Sequence, residues 1–156
     1  MKYDKKWVEL LAEQLVVDVA DWMTGLHFVC KHQDQPQSFG RDLHEVCAQA
    51  KGDVQIAMQF LAEPQFFRGI AFKICGGEPQ DDEEIQECAI EFMNVLCGRF
   101  ISAICSDMKI KLFFSTPDYR VPPNVDMQWE EKGSSILNFC NEKYGEVIFR
   151  WAVKML

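Results

Sequence analysis

Residues 5–24 place Val8, Leu11, Leu15, Val19 and Trp22 at steps of three and four. An α-helix turns once in about 3.6 residues, so these positions share one stripe; the spacing predicts an amphipathic helix with Asp4 as its cap and Gly25 beyond its end. The apolar stretch Leu26 to Cys30 reads as a strand, and the polar run Lys31 to Arg41, which carries Pro36 and Gly40, as a loop. Residues 43–50 and 54–62 flank Lys51-Gly52-Asp53 and together resemble a hairpin. Pro64 can open a second helix that runs through Cys75 and is ended by Gly76-Gly77.

A longer helical pattern starts at Asp81, where Asp81 and Glu84 have capping-box-like spacing, and reaches about Cys105. Lys109 to Ser115 then reads as a strand, Pro117 to Asn124 as a loop, and 135–141 with 146–154 as a hairpin around Lys143-Tyr144-Gly145. Helix, strand, loop and hairpin thus occur twice, joined by the second helix. The expected class is α+β: a duplicated helix-plus-three-strand unit whose six strands form a mostly antiparallel sheet, with the long helices packed on one face. No boundary divides the chain, and residues 1–156 are expected to form a single domain.

The long helix carries the most informative polar pattern. Glu84, Glu87, Glu91, Asn94, Gly98 and Ser102 follow one another at steps of three or four, while residues such as Ile85, Phe92, Met93, Leu96, Phe100 and Ile104 fill the other faces. A helix so apolar is expected to be buried over most of its circumference, leaving one polar strip. A solvated edge would favour Lys, Arg and Glu. Asn94 is instead a poor mid-helix residue, and Gly98 costs roughly 1 kcal/mol relative to Ala. Gly98 would also let another backbone approach closely. The strip reads as a contact surface centred on a carboxylate and a carboxamide.

Composition limits the partners such a surface can have. The chain has 24 acidic and 16 basic residues among 156, a net charge of −8. That balance argues against non-specific binding to nucleic acid or anionic lipid, both of which require Lys and Arg. The first residues, Met-Lys-Tyr-Asp-Lys-Lys, lead into a segment broken by Glu9, Glu13, Asp18 and Asp21, which is not expected to act as a signal peptide. No window approaches roughly 20 uncharged apolar residues, so a soluble protein with no membrane partner is expected. Seven cysteines, an odd number with no Cys-x-x-Cys pair, read as reduced, buried thiols.

Other constellations are weaker. His27, Cys30 and His32 lack a second ligand pair of recognisable spacing, and a Cys47–His44 or Cys30–His32 pair lacks a third member. Cys75-Gly76-Gly77 has no following Lys-Ser/Thr and reads as a helix stop. Trp7, Trp22, Trp129 and Trp151 read as core and sheet residues, and Asp81 to Glu84 as a helix start favoured by the helix dipole.

The run Glu91-Phe92-Met93-Asn94-Val95-Leu96-Cys97-Gly98 resembles the Glu-x-x-Asn-(x)3-Gly signature of the CheC/CheX chemotaxis phosphatase family, its CheX-like, single-site members in particular. Met23-Thr24-Gly25-Leu26, the Gly52 hairpin, the Asp81–Glu84 helix start, Ser115-Thr116-Pro117 and the Gly145 hairpin fall where CheX-like chains place comparable features. The resemblance implies a cytoplasmic phosphatase that hydrolyses the phospho-aspartate of a CheY-like response regulator. In that reading Asn94 orients the attacking water, Glu91 binds a cationic side chain of the partner, and Glu87 and Gly98 are partner contacts. The chain itself would bind no cofactor or metal, the Mg²⁺ belonging to the response regulator, and it would form a homodimer. Two-site members carry a second Glu-x-x-Asn on the first helix; here Glu9 and Glu13 have no asparagine three residues later, so one site per chain is expected. The alternative is a non-catalytic response-regulator or flagellar-switch binding or dimerisation module of the same fold.

Overall fold

The computed structural model describes residues 3–31, 42–123 and 134–155. Three helices and seven strands follow in the order α1 (Lys5–Thr24), β1 (Val29–Lys31), β2 (His44–Gly52), β3 (Val54–Ala62), α2 (Pro64–Cys75), α3 (Asp82–Met108), β4 (Leu112–Phe114), β5 (Asp118–Arg120), β6 (Ser134–Asn141) and β7 (Gly145–Met155). The expected loop over Lys31–Arg41 falls mostly outside the described residues, as do His32 and Trp129.

Local chemistry sets the helix ends. Asp4 accepts a hydrogen bond from the Trp7 amide at 3.1 Å, and Gly25 closes α1 in the left-handed conformation that a residue without Cβ adopts freely. Asp81 accepts from the Glu84 amide at 2.8 Å, satisfying one of the orphan donors at the start of α3. Glu84 does not return this bond to Asp81, as a capping box would; its carboxylate accepts from the Gln80 amide at 2.7 Å.

One sheet, with order β1-β6-β7-β3-β2-β4 and β5 also paired to β2, is antiparallel throughout its pairings. Exchanging β1, β2 and β3 for β4, β6 and β7 turns this order into its own reverse. The duplication inferred from pattern is therefore expressed as an approximate two-fold arrangement, with the two units meeting at β3 and β7. β5 is an addition to the expected six strands. It occupies part of the predicted 117–124 loop, because Glu45, Val46 and Cys47 extend beyond the short β4 and offer their free edge to Arg120, Tyr119 and Asp118. β4 itself is shorter than the predicted 109–115 strand because α3 continues to Met108.

Side chains of alternate strand residues point to one face. Val54, Ile56, Met58, Phe60 and Ala62 of β3, with Val147, Phe149, Trp151 and Val153 of β7, form the floor on which the helices lie. Phe60 is its hub, with ring centroids 5.6 Å from Phe66 and 6.3 Å from Phe67 of α2 and 5.5 Å from Phe92 of α3. Burying one such phenyl ring is worth about 1.5–3 kcal/mol. Phe100 of α3 packs edge-on against Phe149 and Trp151. In α1 the buried stripe is Val8, Ala12, Val16, Val19 and Ala20, whereas Leu11 and Leu15 are half-buried. Trp22 departs from expectation: it is 67% exposed, because the small residues and not the indole face the core. Trp151 is fully buried and Trp7 partly so.

By length and hydropathy α3 could cross a membrane, with a mean hydropathy of 1.5 over its best 18-residue window. Half of that window is buried inside the fold against the sheet and the flanking helices, as a core helix is.

Candidate functional site

Helix α3 has one face in the core and one in solvent. Cys88, Ala89, Phe92, Met93, Leu96, Cys97, Phe100, Ile101 and Ile104 are buried. On the opposite face Glu87, Glu91, Asn94 and Ser102 are exposed and Gly98 is half-exposed. The polar face is broader than the single strip expected, since Ile85, Ile90 and Val95 are only half-buried and Arg99 is exposed. Glu84 leaves the strip, because its carboxylate is turned back to the Gln80 amide and the Cys75 thiol; those hydrogen bonds, the backbone one foremost, lower its pKa.

Glu91 and Asn94 lie one turn apart, a rise of about 4.5 Å along the axis. Neither makes a hydrogen bond or ion pair with another described side chain. An unengaged carboxamide can both donate and accept, and an unengaged carboxylate offers two acceptor oxygens. Gly98 follows one turn later. A Cβ built there meets nothing within 4 Å beyond its own helix backbone, so no packing neighbour among the described residues accounts for a glycine at a mid-helix position. Gly52 is the contrast: its Cβ would lie 2.2 Å from the Lys111 carbonyl oxygen, so β4 can cross close to β2 only over a glycine. The site thus presents a negative row, Glu87 and Glu91, a neutral amide and a clearing over bare backbone. It contains no nucleophile and base in contact. A carboxylate and a carboxamide so placed can bind a cation and orient a water or hydroxyl group, on a helix held by its buried side.

A feature not foreseen from sequence borders this face. The Arg99 guanidinium lies 4.9 Å from the centre of the Trp22 ring, joining the exposed end of α1 to α3 by a cation–π contact. No periodicity signals it, since the two residues are far apart in the chain.

The first helix does not reproduce the site. Glu9 accepts a hydrogen bond from the Ser135 hydroxyl at 2.9 Å, and Glu13 is engaged with the Cys30 thiol, whose pKa burial and this carboxylate push up to about 11. Both glutamates therefore face β6 and β1, and the outward positions of α1 include Leu10, Gln14, Asp18 and Trp22.

Among the described residues no group of three His, Cys, Asp or Glu side chains converges as metal ligands. His44 and Cys47 lie on opposite faces of β2, and His44 is hydrogen-bonded to the Tyr119 hydroxyl, so they do not form a nucleophile–base pair. Gly76 ends α2 in the left-handed conformation with its amide on the Phe72 carbonyl, a helix stop. Along β2 and the segment of β5, Gln49, Ser115, Thr116, Asp118 and Arg120 line an open pocket of about 270 Å³ to which no α3 residue contributes. The cysteines are not uniformly buried: Cys75 is exposed, and Cys30, Cys105 and Cys140 are partly so.

No family model matches the sequence. No curated protein matches it significantly either. Solved structures do match. The chemotaxis protein CheX from Desulfovibrio desulfuricans superposes with a TM-score of 0.76 at 14% identity, over 94% of this chain and 99% of that one. The chain has the CheX and CheC-like fold. A chain of the CheX–CheY–BeF3–Mg+2 complex from Borrelia burgdorferi matches with a TM-score of 0.69 at 18% identity, over 98% of this chain and 99% of that one. FliY from Thermotoga maritima matches with a TM-score of 0.63 at 14% identity, over 99% of this chain and 92% of that one. The CheX-like fold expected from the Glu91–Gly98 run and its surroundings is thus the fold observed.

Proposed function

We propose that this chain is a CheX-like member of the CheC/CheX family that hydrolyses the phospho-aspartate of a CheY-like response regulator, with Asn94 and Glu91 as the functional pair. The observation that carries the reading is the pair itself: two unengaged polar side chains one turn apart on the outward face of a helix anchored in the core. The likeness to a structure in which CheX is in complex with CheY supports it.

Hydrolysis of an acyl phosphate needs an in-line water and compensation of charge, so positioning can supply most of the catalysis. The Asn94 carboxamide holds the water as it attacks phosphorus; the bond from phosphorus to the aspartyl oxygen breaks, leaving free carboxylate and inorganic phosphate. Glu91 pairs with a cationic side chain of the regulator, Glu87 extends the same negative row, and Gly98 admits the partner's backbone. Magnesium belongs to the regulator in this reading. The reading places the protein in the cytoplasm, as a homodimer; a monomer by size-exclusion chromatography with light scattering at micromolar concentration would remove the dimer from it.

The test is the decay of a phosphorylated CheY-like regulator with Mg²⁺, alone, with this protein, and with its Asn94→Ala form. Acceleration by the intact protein only is the expected result. Binding without acceleration would favour the second reading, a non-catalytic docking module of the same fold. Absence of binding would refute both.

A further inference from the structure

Cys75 is the last residue of α2, and Cys88 lies in the second turn of α3. The turn between them brings the two sulfurs to 3.4 Å. A disulfide holds its sulfurs about 2.05 Å apart, so bridging requires an approach of about 1.3 Å at a corner where one partner terminates a helix. The two thiols are also unequal. Cys75 is exposed and Cys88 is buried beneath it, the arrangement of an accessible thiol with a sheltered resolving thiol. We propose that Cys75 and Cys88 are a modification site: a reversible disulfide, formed by exchange with a small-molecule disulfide, that staples the end of α2 to the second turn of α3.

The exchange balances in two steps. The Cys75 sulfur, having lost its proton, attacks one sulfur of the small disulfide; that S–S bond breaks and the departing thiolate takes up a proton. The Cys88 sulfur then attacks the Cys75 sulfur, the mixed S–S bond breaks, and the second small thiol leaves with the proton from Cys88. Two protein thiols are oxidised and one small disulfide is reduced to two thiols. The groups facing the Cys75 sulfur are Glu84, whose carboxylate accepts its hydrogen bond, and Cys88; with partial desolvation they push its pKa up to about 12. The thiolate fraction at neutral pH is therefore small, and exchange at Cys75 is slow.

The experiment uses the full chain and oxidised glutathione. Natively folded protein is incubated with it, alkylated, and analysed by intact mass and by peptide mapping without reduction. Allowing for the alkyl groups on its remaining thiols, the expected product is lighter than the unalkylated reduced chain by two hydrogen atoms, carries a peptide linked through Cys75 and Cys88, and reverts with a thiol reductant. Its melting temperature should lie about 6–12 °C above that of the reduced form, from the loop the bridge closes. In Cys88→Ala the reaction should stop at the mixed disulfide on Cys75; if that variant does not fold, the wild-type map decides alone. Glutathione persisting on wild-type Cys75, an unreacted Cys75, or a bridge between other cysteines would overturn the proposal. A bridged form melting no higher than the reduced one would overturn the stapling.

Discussion

Replacing Gly98 separates what the helix needs from what a partner needs. Gly98 is in the interior of α3, is half-exposed and, its own helix backbone and chain neighbours aside, has no atom of a described residue within 4 Å of where a Cβ would stand. The substitution Gly98→Ala therefore brings the helix-propensity gain without a steric penalty, about 0.8–1.0 kcal/mol. For a chain of this size, that corresponds to a rise of about 2–4 °C in melting temperature. Gly98→Leu should keep most of that gain, since leucine ranks close to alanine in a helix, while filling the clearing beside Asn94. Stability read by urea unfolding should thus rise or hold in both variants. Affinity for a phosphorylated regulator, read by titration, should fall in the leucine variant. A destabilised alanine variant would mean that an internal neighbour dictates the glycine; a leucine variant with unchanged affinity would mean that no partner approaches this backbone.

Asn94→Ala should raise the unfolding free energy by about 0.5 kcal/mol, since alanine is the better mid-helix residue and the exposed Asn94 side chain has no hydrogen bond to another described residue, and should abolish regulator dephosphorylation; a lost fold would make Asn94 structural. Asp81→Ala should cost about 1 kcal/mol by removing the cap at the start of α3, measurable by chemical denaturation. Gly52→Ala should cost about 1–3 kcal/mol, because the new methyl would collide with the Lys111 carbonyl, and a neutral result would contradict the close crossing of β2 and β4. The folded-state pKa of Glu84 is depressed, so its contribution to stability is present above the ordinary carboxylate value and is lost as pH falls through the depressed one. The difference in urea midpoint between the parent and Glu84→Gln should shrink over that acidic interval and stay constant above it.

The caps and the periodicity made most of the fold legible. Asp4, Gly25, Pro64, Gly76 and Asp81 each act through local backbone chemistry that needs no knowledge of the rest of the chain. Both hairpins were legible for the same reason, their turns lying between strands of alternating or continuous apolar character. What escaped depends on distant partners. The three residues of β5 carry no strand signal beyond Tyr119 and are ordered by the free edge of β2. Trp22 fits an apolar stripe by spacing, yet the alanines at 12 and 20 give α1 its close packing and turn the indole outward onto Arg99. The outward placement of Glu91 and Asn94 was legible because they are polar exceptions in an apolar helix. The Cys75–Cys88 contact was not, because it depends on the angle at which two helices meet.

The pairing of β3 with β7 also governs when the protein can fold. Val54 lies opposite Met155 and Ala62 opposite Val147, so the middle of the sheet joins segments distant in sequence. Contacts of that separation carry a large loop-closure cost and slow the search for the native arrangement. Until β7 is synthesised, β3 and β6 each lack a neighbour, and the aromatic floor beneath α3 lacks Phe149 and Trp151. A nascent chain can form α1, the β2–β3 hairpin and α3, but it presents their apolar faces uncovered while β7 is still missing. The interval before that strand arrives is when the chain is most exposed to aggregation and to capture by chaperones.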